Sequence, residues 1–146
     1  MRIAIASDHA AVEARSAVAA DLAGRGIQIV DCGCAAGERV DYPDYAERVA
    51  RAVTDGRADR GVLLCGTGIG MSIAANKIAT IRAALVHDVT TARLAAQHNN
   101  ANVLCVGARV LGPVTIAECI AAWLDTAFEA RHQHRLDKIT ALEARG

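Results

Sequence analysis

A parallel α/β sheet covered by helices on both faces is the fold this sequence predicts, and three observations predict it. Short apolar runs alternate along the chain with longer stretches of helical period. The runs are nearly free of charge, as strands buried on both faces must be. Glycine or a turn cluster separates successive segments.

The first run is Ile3 to Ala6, and Val12, Ala19, Leu22 and Ala23 then form a helical stripe that stops at Gly24 or Gly26. Ile27 to Val30 leads into a long loop through Asp41 and Tyr42. A helix carrying Tyr45, Val49, Ala52 and Val53 follows and ends at Gly56. After Gly61 to Cys65 a third helix opens at Gly70 with Ile73, Ala74 and Ile78. Ala83 to Val86 precedes a helix that begins near Asp88 and closes in Gln97-His98-Asn99-Asn100. Val103 to Val106 is the last strand. Pro113 starts the fifth helix, with Ala117, Ile120, Ala121, Leu124 and Phe128 along one face. A terminal helix follows, in which Leu136, Ile139 and Leu142 make a thin apolar stripe with little core left to cover, so a subunit interface is its expected destination. The expected architecture is a three-layer α/β/α sandwich around a five-stranded parallel, Rossmann-like sheet, built as one domain over residues 1–146, with the C-terminal helix reaching a partner subunit.

At 146 residues the chain has length for one ample core. Sixteen basic side chains cancel sixteen acidic ones, which leaves no basic field to hold a nucleic acid. Aromatic residues make up only 3%, so stacked bases and broad sugar faces have no platform, and a ligand must be held by polar groups and backbone. The opening Met1-Arg2-Ile3-Ala4-Ile5 turns polar at Ser7-Asp8-His9, too early for a secretory signal, and no apolar stretch reaches the roughly 20 residues of a membrane span. Cysteines at 32, 34, 65, 105 and 119 are odd in number and scattered, so free thiols in a cytoplasmic protein are expected.

Ligands of an open parallel sheet bind outside the carboxyl ends of its strands. The polar residues that follow each strand are Ser7, Asp8 and His9; Asp31 and the loop to Tyr42; Cys65-Gly66-Thr67-Gly68-Ile69-Gly70; His87 and Asp88; and Gly107, Ala108 and Arg109. The glycine loop is not a dinucleotide fingerprint, because Met71 stands where a third glycine would be needed, and no Gly-Lys-Ser/Thr makes it a P-loop. It is either an anion site, formed by backbone N–H groups converging at a helix start, or a tight strand-to-helix turn. Cys65 at that start is either a buried small hydrophobe or an activated thiol. Cys105 and Cys119, inside a strand and a helix, belong to the core.

His9 follows a strand and His98 closes a helix, so both are expected to reach this edge, each as either a cap or a catalyst. His132 and His134 sit two apart, and Cys32 and Cys34 lack zinc-ribbon spacing, so neither pair forms a metal site. Arg131 and Arg135, at i and i+4, would project from one helical face as a clamp for a dianion or as ordinary surface arginines.

Together Ser7-Asp8-His9, Asp41-Tyr42-Pro43, Cys65-Gly66-Thr67-Gly68-Ile69-Gly70-Met71-Ser72-Ile73-Ala74-Ala75-Asn76-Lys77, Gln97-His98-Asn99, Gly107-Ala108-Arg109 and Arg131-His132 resemble the type B ribose-5-phosphate isomerases, which are similar to galactose- and allose-6-phosphate isomerases. The resemblance covers essentially the whole chain. It implies isomerisation of a phosphorylated sugar through an enediolate, with ribose 5-phosphate and ribulose 5-phosphate of the pentose phosphate pathway as the first expectation. It implies no metal or organic cofactor. Four-carbon erythrulose and six-carbon allose or galactose phosphates are the alternatives, since one methylene shifts specificity by only about 1–3 kcal/mol. A non-catalytic phosphosugar-binding protein is the alternative of another class.

By the same resemblance Cys65 is the base between C1 and C2. Met71 stands where another branch of the family carries a glutamate. The amides of Gly66, Gly68, Ile69 and Gly70, with Asn99, would hold the enediolate oxygen, and His98 with Thr67 would open the sugar ring. Asp8, Asp41 and Tyr42 would bind hydroxyls. His9, Arg109, Arg131 and Arg135 would bind phosphate, some of them from the neighbouring subunit of a homodimer or tetramer. The chain departs from the family in Glu129-Ala130-Arg131-His132, one residue shorter than usual, in Thr90 and Thr91 where an aromatic is common, and in Asn100 where aspartate is usual.

Overall fold

The computed structural model describes residues 1–146. Five strands, β1 (Arg2–Ser7), β2 (Gln28–Asp31), β3 (Arg60–Cys65), β4 (Ala83–Leu85) and β5 (Val103–Gly107), form one sheet in the order β2-β1-β3-β5-β4. Every neighbouring pair is parallel. Helices α1 (Val12–Gly24), α2 (Tyr42–Thr54), α3 (Ile69–Ala75), α4 (Val89–Gln97) and α5 (Pro113–Leu124) connect or follow them, and a 3-10 turn at Ala130–His132 leads into α6 (Gln133–Glu143).

Alternation along the strands divides the core into two layers. Ile3, Ile5, Val62, Leu64, Leu104 and Val106 pack beneath α1, α4 and α5, with Trp123 at the centre. Ala4, Ala6, Leu63, Val103 and Cys105 pack beneath α2 and α3. The small residues of the second layer let α2 sit close: a Cβ on Gly61 would fall 2.5 Å from Val49 Cγ1. Trp123, fully buried, satisfies its one polar atom by donating from Nε1 to the Ala101 carbonyl at 2.9 Å.

Four helices add to or differ from the pattern expected of them. α3 ends at Ala75, so Ile78 lies beyond it and Ile73 is exposed, while Met71 and Ala75 fill the core. Phe128 likewise lies past the end of α5, whose buried face is Ile116, Cys119, Ile120 and Trp123. Tyr42 is the first residue of α2 and not part of the loop, because Pro43 fits the first turn of a helix. α6 buries Leu136 on its own chain, and Glu143 accepts from the Thr80 amide at 3.0 Å, yet Ile139 and Leu142 remain exposed.

The chain runs from β1 outward to β2, then returns past β1 to β3. This reversal opens a crevice at the carboxyl ends of β1 and β3, the place where such sheets bind ligands.

Candidate active site

Cys65 closes β3 and lies buried at the floor of the crevice, where its Sγ accepts the Gly68 amide hydrogen at 3.0 Å. That bond requires Gly68 to turn back at φ +80°, a conformation that favours glycine. A Cβ there would also stand 2.6 Å from Leu85 Cδ1 and 2.9 Å from the Val106 carbonyl carbon. Gly107, paired with Cys65 across the sheet, allows equally close approach, since its Cβ would meet the Thr67 carbonyl at 2.6 Å. The loop is therefore wrapped tightly around the sulphur, with the amides at the start of α3 beside it.

Other expected residues surround this loop. The Ala108 and Arg109 amides donate to the carbonyls of Cys65 and Gly66 at 2.9 and 3.0 Å, and the Arg109 side chain lies over Gly66. Thr67 is exposed, and its Oγ1 accepts from the Ile69 amide at 3.3 Å. The ring of Tyr42 covers Gly70, where a Cβ would fall 2.6 Å from the ring carbons. Asp41 precedes it as the N-cap residue of α2. Asp8 is buried with Oδ1 accepting from the Ala10 amide at 2.9 Å, and His9 Nδ1 lies 3.1 Å from the Val40 carbonyl oxygen. Asp8, His9, Asp41, Tyr42, the Cys65 to Gly70 loop and Arg109 thus share one edge of the sheet.

His98, Asn99, Arg131 and Arg135 do not. α4 returns antiparallel to the strands, so His98 at its C-terminus and Asn99 after it lie where β4 and β5 begin. Arg82, just before β4, donates from Nε to the Asn100 carbonyl at 2.9 Å, which fixes that placement. The Glu129 amide donates to the Gln97 carbonyl at 2.9 Å and brings the 3-10 turn to the same end. From Arg60 to Cys65 the sheet spans about 17 Å. A single chain keeps the two halves of the expected site at opposite edges.

The arginines also differ from their spacing. Arg131 belongs to the 3-10 turn and Arg135 to α6, so they do not stem from one α-helical face. Arg131 Nε donates to Glu129 Oε2 at 2.6 Å, while Arg135 Nη1 lies 3.2 Å from His132 Nδ1. Glu129 is further bound by Gln97, and the Arg131 hydrogen bond holds its carboxyl below the usual carboxylate range.

The sequence pattern missed His132 and Glu129. His132 reads as one more polar residue in a charged run, yet it is 4% exposed, and burial together with the nearby Arg131 pushes its pKa down. Ligand atoms of His98, Glu129 and His132 lie within 4.8 Å of one another, a donor set that could hold a metal ion. Arg135 works against it. A guanidinium only donates, so His132 Nδ1 accepts and the neutral ring carries its hydrogen on Nε2, the atom a metal would need.

The ribose/galactose isomerase family model matches residues 3–139. Ribose-5-phosphate isomerase B of Escherichia coli (strain K12) is 45% identical over 145 residues, covering 99% of this chain and 97% of that protein. D-erythrulose-4-phosphate isomerase of Pectobacterium atrosepticum is 46% identical over 130 residues, covering 88% and 86%. The solved structure of ribose-5-phosphate isomerase B from Mycoplasma genitalium with bound ribulose-5-phosphate superposes with a TM-score of 0.94 at 38% identity, covering 99% and 97%. Matched from its first strand into its last helix, the chain belongs to the ribose/galactose isomerase family.

Proposed function

We propose that this chain is an aldose-ketose isomerase that interconverts D-ribose 5-phosphate and D-ribulose 5-phosphate through an enediolate, as a cytoplasmic enzyme of the pentose phosphate pathway. The observation that carries the reading is the buried Cys65 sulphur at the end of β3, which accepts the Gly68 amide hydrogen inside the glycine loop. Cys65 takes the proton from C2 of the open aldose and delivers it to C1. Negative charge that develops on the substrate oxygen meets the amides of the Gly66 to Gly70 loop, of which those of Gly68 and Ile69 are shared with Cys65 Sγ and Thr67 Oγ1.

Asp8, Asp41 and Tyr42 bind hydroxyls along this edge, and His9 and Arg109 bind phosphate. His98, which opens the furanose ring together with Thr67, comes from a second copy of the chain, as do Asn99, Arg131 and Arg135. The separation of the two halves supports this homodimer. So do the exposed side chains of Ile69 and Ile73 beside the glycine loop, the latter lining a groove of about 400 Å³ in which Tyr42, Pro43 and Ile78 are joined by the charged Glu47 and Lys77.

A four-carbon substrate is the second reading, because the erythrulose phosphate isomerase shares nearly the same identity with this chain as the ribose phosphate isomerase, over a shorter match. Purified protein assayed against four-, five- and six-carbon aldose phosphates, with Cys65→Ala as control, decides between them. The highest kcat/KM is expected on ribose 5-phosphate. Preference for another chain length overturns the substrate, binding without turnover identifies a non-catalytic phosphosugar binder, and full activity of Cys65→Ala overturns the mechanism.

A further inference from the structure

Beneath His98 lies a side chain to which the proton transfers described above assign no role. The ring centroids of His98 and His132 are 4.4 Å apart with their planes inclined by 41°. His132 is 4% exposed, and its Nε2 has no hydrogen-bond partner. Arg135 fixes the proton on that Nε2 by donating to Nδ1. The resulting N–H is nearest to Glu129, whose Oε2 is 3.7 Å away and already receives Arg131.

We propose that His132 is a positioning residue for His98: a buried, neutral imidazole of fixed tautomer that supports the His98 ring and leaves His98 as the one member of the pair that takes up a proton. The inference rests on the reading of His98 as the ring-opening residue. In that step the anomeric hydroxyl loses its proton, the bond from C1 to the ring oxygen breaks, and the ring oxygen takes a proton, leaving an aldehyde and a free hydroxyl.

An acid-base group that must exchange single protons is poorly served by a second titrating ring in contact with it. The charged or titratable groups facing His132 are Arg131, His98, Arg135 and Glu129. Two guanidinium groups and burial oppose a proton on His132, and only the carboxylate favours one. His132 is therefore no second acceptor for the proton drawn from the sugar. A ring lodged at 4.4 Å also removes the freedom of His98 to swing away from the substrate, and such orientation is what a general acid-base group needs.

Ribulose 5-phosphate allows this role to be separated from that of Cys65, because its 5-phosphate blocks furanose closure and the sugar is an open chain. In deuterium oxide, removal and return of its C1 proton by Cys65 exchanges hydrogen for deuterium without any ring step. Two measurements, turnover of ribose 5-phosphate and C1 exchange of ribulose 5-phosphate by proton NMR, are made on wild type, His132→Ala, His132→Gln and His98→Ala. His132→Ala is expected to lower turnover of ribose 5-phosphate about tenfold while exchange stays within about twofold. His132→Gln, which keeps a neutral N–H donor, is expected to recover most of the loss. Equal loss of exchange and turnover in His132→Ala, or no loss of turnover, overturns the inference. Selective loss in His98→Ala without it in His132→Ala removes the inference alone, whereas full turnover in His98→Ala removes the ring-opening role beneath it.

Discussion

The Gly68 amide donates to the Cys65 sulphur across 3.0 Å, joining the last residue of β3 to the residue that caps α3. The bond closes a four-residue loop and presents the sulphur as an acceptor, the role a proton-abstracting base must fill. Everything packed around the loop serves this closure, from Gly107 against Thr67 to the Tyr42 ring over Gly70.

On the proposed mechanism, replacing the sulphur removes the base without removing the pocket. Cys65→Ala is expected to lower kcat by about a thousandfold, within the range for loss of a general base. Affinity for ribose 5-phosphate, read by calorimetry, should change little. A comparable loss in affinity would mean that Cys65 shapes the pocket more than it catalyses.

Gly68→Ala tests the backbone. The new Cβ meets the Val106 carbonyl carbon at 2.9 Å, and that atom belongs to a central strand and cannot yield as a side-chain tip can. Strain at φ +80° adds to the overlap. The expected cost is about 1–3 kcal/mol in urea unfolding, with a fall in kcat that exceeds any change in the folded fraction.

The sheet and its carboxyl edge were legible because the same feature writes both. Apolar strand interiors give way to polar residues at this edge, so Asp8 just after β1, Cys65 at the end of β3 and Arg109 two residues past β5 announce it. The placement of His98 was not legible to a reading that let a helix-closing residue reach the carboxyl edge, because a helix returning from a parallel strand ends at the other edge. Nor was the burial of His132, because nothing in Arg131-His132-Gln133-His134 distinguishes a ring lodged against another helix from one in water. Ile73 misled in the converse way. Helical spacing over the seven residues of α3 does not decide which side faces the sheet.

Arg15 was equally hidden, one arginine in an alanine-rich helix. It is buried with Nη1 3.3 Å from Ser7 Oγ and Nη2 2.8 Å from the Cys34 carbonyl, tying the end of β1 to the loop that leads to Asp41. Its ion pair with Asp31 is half solvated and contributes little. Arg15→Met leaves two polar groups without partners, for an expected loss of about 2–4 kcal/mol in urea unfolding. A loss below half that range would show that water replaces the guanidinium.

Acid should loosen the turn that carries Arg131. Burial holds the folded pKa of His132 below its ordinary value of 6.5, so its contribution is full above pH 6.5 and is lost as pH falls through the folded value. Glu129, held down by Arg131, acts in the same sense from its ordinary value of 4.5 downward. The signs agree, and stability must fall with pH in two steps. Thermal unfolding followed from pH 8 to pH 4 should show the upper step in wild type and lose it in His132→Gln. Persistence of that step in the variant would assign it to another histidine.

The division of the site between two sheet edges has a consequence that no single-chain mechanism shares. Cys65→Ala and His98→Ala damage opposite edges, and in a symmetric dimer whose sites each take one edge from each subunit, either variant alone spoils both sites. In a heterodimer of the two, both lesions fall in the same site, which leaves the other with an intact Cys65 and an intact His98. Mixing the inactive variants under conditions of subunit exchange should restore activity toward about one quarter of wild type, since half the dimers are mixed and each has one working site. Activity that fails to return, when exchange is verified by mass spectrometry of the mixed species, would place Cys65 and His98 of the same chain in one site and require α4 to end elsewhere than it does.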